Sequence, residues 1–375
     1  KIFERPLTRN TLIEASLLGS MLHGSLALVH ADLRSRSKRL IAGRIGRPFL
    51  TRRGLADPKI SSPAILAVGT HERGLAPDLA QRQGSAPCAP TISVIIPAYN
   101  AEQTLADAIR SALAQTYPAA EIIVVDDGSS DRTAAIAQNI DPKVRLLQQA
   151  NGGCGEARNT GARAASGAWL AFLDADDAWL PNKLERQLPY TADARVAVVN
   201  CRRSNKLGHA LGDEIRFDQL WQRNDLIVSS SLVRRSAFEA AGGFWAERYC
   251  EDYHLWLRLA AQGWTIANCP EDLVVYSPAP GSLSQQTESF AAAEVACIED
   301  IAARLQMPAP QLKQRLIAAY LLNARGAIYT RNLILAKRLV RKSLKLGISV
   351  EQLGTLMVAC VPEVLLDLRR HLIHG

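Results

Sequence analysis

The sequence predicts an α/β protein built on a mostly parallel sheet with helices on both faces. Three observations carry this expectation. Short continuous apolar runs, ISVIIPA (92–98), EIIVVD (121–126) and WLAFLD (169–174), leave no polar side to face water, which suits strands buried on both faces. Segments of helical period separate these runs. Acids or glycines follow directly on several of them, and open parallel sheets bind ligands at the carboxyl ends of their strands.

Taken in order, a strand over 92–100 is expected to be stopped by Pro97. Leu105, Ala108, Ile109, Ala112 and Leu113 then recur at i, i+3, i+4, i+7 and i+8, a helix over 102–116. A second strand begins at Glu121 and ends in DDGSSD, where Ser129 or Ser130 can cap a helix over 131–139. VRLLQQ (144–149) is a third strand, and NGGCG (151–155) opens a helix running to Ala165 before the fourth strand at Trp169. Beyond residue 190 the pattern loosens. Residues 195–200 and 226–233 read as strands, and 236–243 as a short helix with a Ser236–Glu239 capping box and a glycine stop. Residues 251–263 read as a helix opened by two acids, and TIANC (265–269) as a strand. From residue 287 the period is helical. Leu333, Ala336, Leu339, Val340, Leu344 and Leu346 form an apolar stripe among Lys337, Arg338, Arg341, Lys342 and Lys345.

Charge divides the 375 residues into three regions. Residues 1–90 hold 14 Lys/Arg against 6 Asp/Glu, residues 91–300 hold 18 against 27, and residues 301–375 hold 12 against 3. An acidic centre between basic arms argues against a nucleic-acid reader. Seven scattered cysteines without a C-x-x-C pair point to reduced thiols and a cytoplasmic setting. No run approaches the roughly 20 apolar residues of a membrane span. LLGSMLHGSLALV (17–29) reads as a packed helix in preference to a signal-peptide core. The expected organisation is a basic, partly disordered extension and linker (1–90), an α/β domain (91–285) and a basic helical region (286–375).

Several chemistries are excluded by absent motifs. There is no G-x-x-x-x-G-K-[ST], no H-E-x-x-H and no G-x-S-x-G, and GGCGEAR puts Arg158 where a dinucleotide fingerprint needs glycine. The stretch WLAFLDADDAW remains, with Asp174, Asp176 and Asp177 at the end of a buried strand. A solvated turn, with Asp177 as the acidic cap of the helix after Pro181, accounts for one or two carboxylates. A third asks for a counter-charge, and Lys183 is the one base within six residues, so spacing favours a hard divalent cation. Asp126–Asp127 suits an N-cap or a ligand contact equally, and Glu251–Asp252 alone suits the start of a helix.

Together, SVIIPAYN, IIVVDDGSSD, NGGCGEARNTGARAASGAWLAFLDADD and GGF followed by Glu251–Asp252 resemble the family-2 glycosyltransferases of the GT-A fold, over residues 91–285. The resemblance implies a central GT-A sheet and a nucleotide-sugar site formed by Pro97, Ala98, Tyr99, Asn100, Asp126, Asp127, Arg158, Asp174 and Ala175. Pro97, Tyr99 and Asp127 would contact the base. Asp174-Ala175-Asp176 matches the Asp-X-Asp motif, with Asp176 as the ligand of Mn²⁺ or Mg²⁺. Asp252, with Glu251 beside it, matches the catalytic base. One base without a carboxylate nucleophile implies single displacement with inversion.

The implied activity is transfer of one sugar, from a UDP-sugar by preference, to a hydroxyl of a glycan or lipid-linked acceptor in cell-surface polysaccharide or glycolipid synthesis. Neither a Q-x-x-R-W motif nor a following span points to a processive synthase. The segment YSPAPGSLS (276–284) departs from the family's Y-R-x-H-x-x-S-x-S, with Ser277 for arginine and Ala279 for histidine, leaving Arg248 or Arg258 as replacements. That departure suggests an alternative, a catalytically inactive GT-A-like binding module. A sugar nucleotidyltransferase would need a basic glycine-rich loop after the first strand, and PAYNAEQ has none. Cys154 and Cys250 lack a third zinc ligand. Trp245 is the tryptophan best placed to stack on an acceptor, against core packing for all three of Trp221, Trp245 and Trp264. His254 reads as a polar residue on a helix surface. The basic C-terminal helices suit an anionic inner-membrane surface or plain solvent.

Overall fold

Alternation along the first strand sets the two-sided plan. The computed structural model describes residues 89–203, 212–277 and 287–361, and every residue of β1 (Ile92–Ala98) is buried. Val94 and Ile96 face one core with α1 (Leu105–Leu113) and α2 (Thr133–Asn139). Ile95 faces the other core with α3 (Cys154–Ala164) and α7 (Glu251–Ala261). Strands covered on both faces follow from this period of two. The expected extension at 1–88, with its helix at 17–29, and most of YSPAPGSLS lie outside the described residues.

Among the described residues nine strands form one sheet. β2 (Glu121–Asp126), β3 (Val144–Gln148) and β4 (Trp169–Phe172) join β1 as a parallel half in the order β3-β2-β1-β4. The other half is mixed. β8 (Leu232–Arg234) runs antiparallel between β4 and β6 (Val196–Arg203). β9 (Thr265–Val275) is parallel to β6, and β5 (Ala178–Trp179) and β7 (Glu214–Ile215) pair antiparallel with β9.

Pro97 does not stop β1. Ile95 O accepts from Leu173 N and Ala98 O from Asp127 N, so alternation turns Pro97 toward β4, beyond the last pair Ile95–Phe172, where no amide donor is needed. The strand expected over 226–233 is instead a 3₁₀ turn at Val228–Ser230 followed by the short β8. There, Ser230 Oγ donates to Ile227 O at 2.7 Å and Ser231 Oγ to Val228 O at 2.7 Å, local bonds that compete with a ladder.

Three capping expectations change as well. Ser129 and Ser130 bond to Asn100 instead of capping α2, and Asp131 Oδ1 accepts from Thr133 N at 2.9 Å. The Ser236–Glu239 box is absent because α6 (Arg235–Ala240) starts one residue earlier, with Arg235 N donating to Ala168 O at 2.9 Å. Its glycine stop holds: Gly242 and Gly243 take φ of +81° and +73°. Asp177 caps nothing, since α4 (Lys183–Gln187) is preceded by Asn182.

α8 (Thr287–Arg304), α9 (Ala309–Tyr329), α10 (Leu333–Leu346) and α11 (Val350–Cys360) form the C-terminal region. α10 buries Leu335, Ala336, Leu339, Val340 and Ser343, while Leu333, Leu344 and Leu346 stay half-buried at its ends. Among the described residues no helix is long and apolar enough to cross a membrane.

Candidate active site

The carboxyl ends of β1, β2 and β4 open on one edge of the sheet. At the end of β1, Pro97 and Ala98 are buried; beyond it Tyr99 is 55% exposed, and Asn100 adopts a φ of +47° held by Ser129 and Ser130. Asn tolerates this left-handed conformation better than most residues.

Asp126 and Asp127 are both buried after β2. Asp126 accepts from Ser129 N at 3.1 Å and Gln148 Nε2 at 3.2 Å. Asp127 accepts from Gln149 Nε2, Gly152 N and Gly153 N, each at 2.8 Å. Its carboxylate is thus committed to holding the glycine loop against β2. Gly153 has a φ of +89°, and a Cβ there would meet Arg248 Nε at 3.0 Å. Arg248 also donates to Asn151 Oδ1 at 2.9 Å. Arg258, the other candidate replacement, is taken up by the carbonyls of Ala241 and Gly243.

Arg158, on α3, gathers the acids. Its Nη1 lies 2.7 Å from Glu251 Oε1 and its Nη2 2.6 Å from Asp174 Oδ1, with the guanidinium 5.4 Å over the Phe244 ring. Burial opposes its charge, but Asp174 and Glu251 hold its pKa above the usual arginine value. Arg158, expected to contact the donor, is therefore a brace between two acids. It is also the counter-charge that local spacing could not supply. Cys154 donates to Glu251 Oε1 at 2.9 Å, and burial, with Glu251 nearby, pushes its thiol up to about 12, so it stays protonated.

Asp174 and Asp177 share a turn, Asp177 N donating to Asp174 O at 3.1 Å. Asp174, Ala175 and Asp176 are half-buried. Asp177 is buried and accepts from Ser277 N at 3.0 Å; burial and the Asp174 and Asp176 charges push it up to about 7. Lys183 contributes no charge to this cluster: it is fully buried, donates to Gln187 and sits 4.1 Å over the Trp179 ring.

Among the described residues no three His, Cys, Asp or Glu side chains form a metal cage. Mg²⁺ or Mn²⁺ held by one or two carboxylates, waters and substrate phosphates needs none. The oxygen donors of Asp174 and Asp176 fit a cation of that kind arriving with a diphosphate.

Asp252 opens α7. It accepts from Tyr253 N at 2.6 Å, and burial and the Glu251 charge raise its pKa to about 7 against the pull of Arg158. Arg158, Asp174, Glu251 and Asp252 line one cleft of about 300 Å³. Pro97 to Asn100, Asp126–Asp127 and Ala175–Asp176 stand outside its lining.

The far wall was not anticipated. Phe290, Glu294 and Leu322 come from the C-terminal helices. Only Glu294, a lone acid in the Ala-rich FAAAEVAC, offered a signal. His254 is not on a helix surface: it is buried, stacked 4.3 Å from Trp245 and bonded to Asp300 at 2.7 Å. That stacking occupies Trp245, and Trp221 and Trp264 pack in the core.

Comparison with known proteins agrees with this geometry. Residues 93–242 match the family described as Glycosyl transferase family 2. An uncharacterized glycosyltransferase of Rickettsia prowazekii, RP339, is 35% identical over 191 residues, covering 45% of this chain and 58% of its own length. This chain therefore spans little more than half of that relative. The Escherichia coli UDP-Glc:alpha-D-GlcNAc-diphosphoundecaprenol beta-1,3-glucosyltransferase WfgD is 47% identical over 100 residues, 26% of this chain and 39% of its own. The mannosyltransferase PcManGT from Pyrobaculum calidifontis, solved with GDP-Man and Mn²⁺, superposes with a TM-score of 0.53 at 21% identity, covering 75% of this chain and 81% of that one. At that identity the likeness speaks to the GT-A fold alone. Over residues 93–242, then, this chain is similar to the family described as Glycosyl transferase family 2.

Proposed function

We propose that the chain transfers a single sugar from a nucleoside-diphosphate sugar, UDP-linked by preference, to an acceptor hydroxyl with inversion. The observation that carries this reading is Asp252, a carboxylate lining the cleft with its pKa raised to about 7, beside Asp174 held by Arg158. A general base works best when its pKa lies near the operating pH. Asp252 takes the proton of the acceptor hydroxyl as that oxygen attacks the anomeric carbon. Glu251 is engaged by Arg158 and Cys154 and is not presented as a nucleophile, which supports a single displacement.

The donor side is assigned to the strand ends. Asp127 holds the glycine loop, Tyr99 offers an exposed ring for a base, and Arg248 reaches the loop through Asn151. Asp176, with Asp174, would hold Mn²⁺ or Mg²⁺, which would supply charge neutralisation for the departing diphosphate.

The name of the Escherichia coli relative supports a UDP-sugar donor and a lipid-diphosphate-linked acceptor. Peripheral contact with an anionic membrane is the matching placement. Ile334 on the basic α10, Ile348 in the connection after it and Val350 at the start of α11 are 75%, 79% and 86% exposed.

The test is release of nucleoside diphosphate from a donor panel with Mn²⁺. Asp252→Asn should lose about 10²–10⁴-fold in rate while keeping donor binding by thermal shift. An Asp252→Asn enzyme with full activity overturns the assignment. A wild-type chain that binds donors but never turns them over favours the inactive binding module.

A further inference from the structure

The cleft in front of Asp252 has a second wall that belongs to no family motif. We propose that this cleft, closed by the C-terminal helices α8 and α9, is an acceptor subsite for one uncharged sugar ring. The inference rests on the transferase reading only for the word acceptor; the cleft's selectivity follows from its own lining.

The wall is rigidly attached to the helix that carries Asp252. Arg315 of α9 is buried and donates to Glu294 Oε1 of α8 at 2.8 Å, to Tyr253 Oη of α7 at 3.3 Å, and to the carbonyl of Trp221. Asn323 Nδ2 reaches the other Glu294 oxygen at 2.6 Å, and Tyr253 Oη donates to Leu220 O at 2.6 Å. The His254–Asp300 bond ties α7 to α8 a second time. Phe290, Glu294 and Leu322 are therefore held in a preformed relation to Asp252, as a binding site requires.

The lining chooses the ligand class. Tyr249, Tyr276 and Phe290 line it, aromatic side chains of the kind that pack against the C–H faces of a sugar ring. The charges are on balance negative. Asp174 and Glu251 share the single Arg158, Glu294 is matched by Arg315, Arg223 is paired with Asp225 at 2.5 Å, and Asp252 adds one more carboxylate. A uronate or sugar phosphate entering here meets like charge in a partly desolvated site. A neutral ring brings hydroxyl donors for Asp252 instead. About 300 Å³ lies at the small end of ligand sites and holds one such ring, with the remainder of the acceptor outside. That ring can terminate a soluble glycan or a lipid carrier.

The test is direct binding of methyl and octyl glycosides of glucose, galactose, mannose and N-acetylglucosamine to the full chain by saturation-transfer NMR, with methyl glucuronide for comparison and no donor present. Leu322, 44% exposed, allows a cleft-filling Leu322→Trp, and Phe290→Ala is a milder second variant. Both are checked for a wild-type melting temperature. At least one neutral glycoside should bind, at least tenfold more weakly in Leu322→Trp, with intermediate loss in Phe290→Ala; the glucuronide should bind at least tenfold more weakly than its neutral counterpart. A tenfold preference for octyl glycosides identifies the lipid-carried source, and equal binding the soluble one; both support the neutral-ring site. Equal binding to wild type and Leu322→Trp, preference for the glucuronide, or no binding of any neutral glycoside overturns it. Because no donor is used, failure of nucleotide sugars to shift the melting temperature would overturn the transferase reading and leave this result standing.

Discussion

Arg158 and Glu251 lie 2.7 Å apart across 93 residues of chain, joining the helix after the glycine loop to the helix that carries Asp252. The same guanidinium reaches Asp174 at 2.6 Å. One buried cation thus sets the spacing between the end of β4 and the start of α7. Removing it leaves two acids without their partner. Arg158→Met should cost about 3–5 kcal/mol of unfolding free energy in urea denaturation. Arg158→Lys should recover only part of that loss, because an ammonium cannot span both carboxylates as the planar fork does.

As the proposed base, Asp252 should set the pH response of the reaction. With its pKa raised to about 7 by burial and by Glu251, the carboxylate form needed for proton abstraction is lost as pH falls below that value. The kcat/KM profile should rise through about pH 7. Glu251→Gln removes the neighbouring negative charge and should move that limb to lower pH, which a pH–rate series on both proteins would read.

His254 makes stability, as distinct from activity, pH-dependent. Burial lowers its folded pKa from 6.5 to about 4, despite the bond to Asp300. A group with a depressed folded pKa contributes stability fully above its unfolded value and loses it as pH falls toward the folded value. The wild-type melting temperature should therefore drop between about pH 6.5 and pH 4. His254→Gln, which keeps a donor for Asp300 but has no titrating ring, should show a shallower drop over the same interval.

Gly161 marks the closest approach of α3 to the sheet. A Cβ at that position would stand 2.5 Å from Ile95 Cγ2. Gly161→Ala should destabilise by about 1–3 kcal/mol through overpacking, outweighing the gain in helix propensity of roughly 1 kcal/mol. Chemical denaturation in a double-mutant cycle with Ile95→Ala, which removes Cγ2, should show the pair costing less than the sum of the two single changes.

The parallel half of the sheet was legible because its strands are buried on both faces, and such burial is written as unbroken runs like ISVIIPA. The second half was less legible. Ser229 to Ser231 look apolar-compatible within LIVSSSLV, but their hydroxyls and backbone form a 3₁₀ turn. Caps were misassigned where a distant partner won, as at Asp177, which accepts from Ser277, a hundred residues along the chain.

By itself the sequence determined the strand-and-helix order of residues 91–174, the placing of acids at strand ends and the family motif pattern, because period and turn chemistry are local. Tertiary structure alone decided how those acids are neutralised and what faces Asp252. Arg158 lies sixteen residues from Asp174 and ninety-three from Glu251, and the wall of Phe290, Glu294 and Leu322 arrives from helices with no motif of their own. Coulomb attraction and packing act through space, so partners chosen by proximity in the fold leave no spacing to read along the chain.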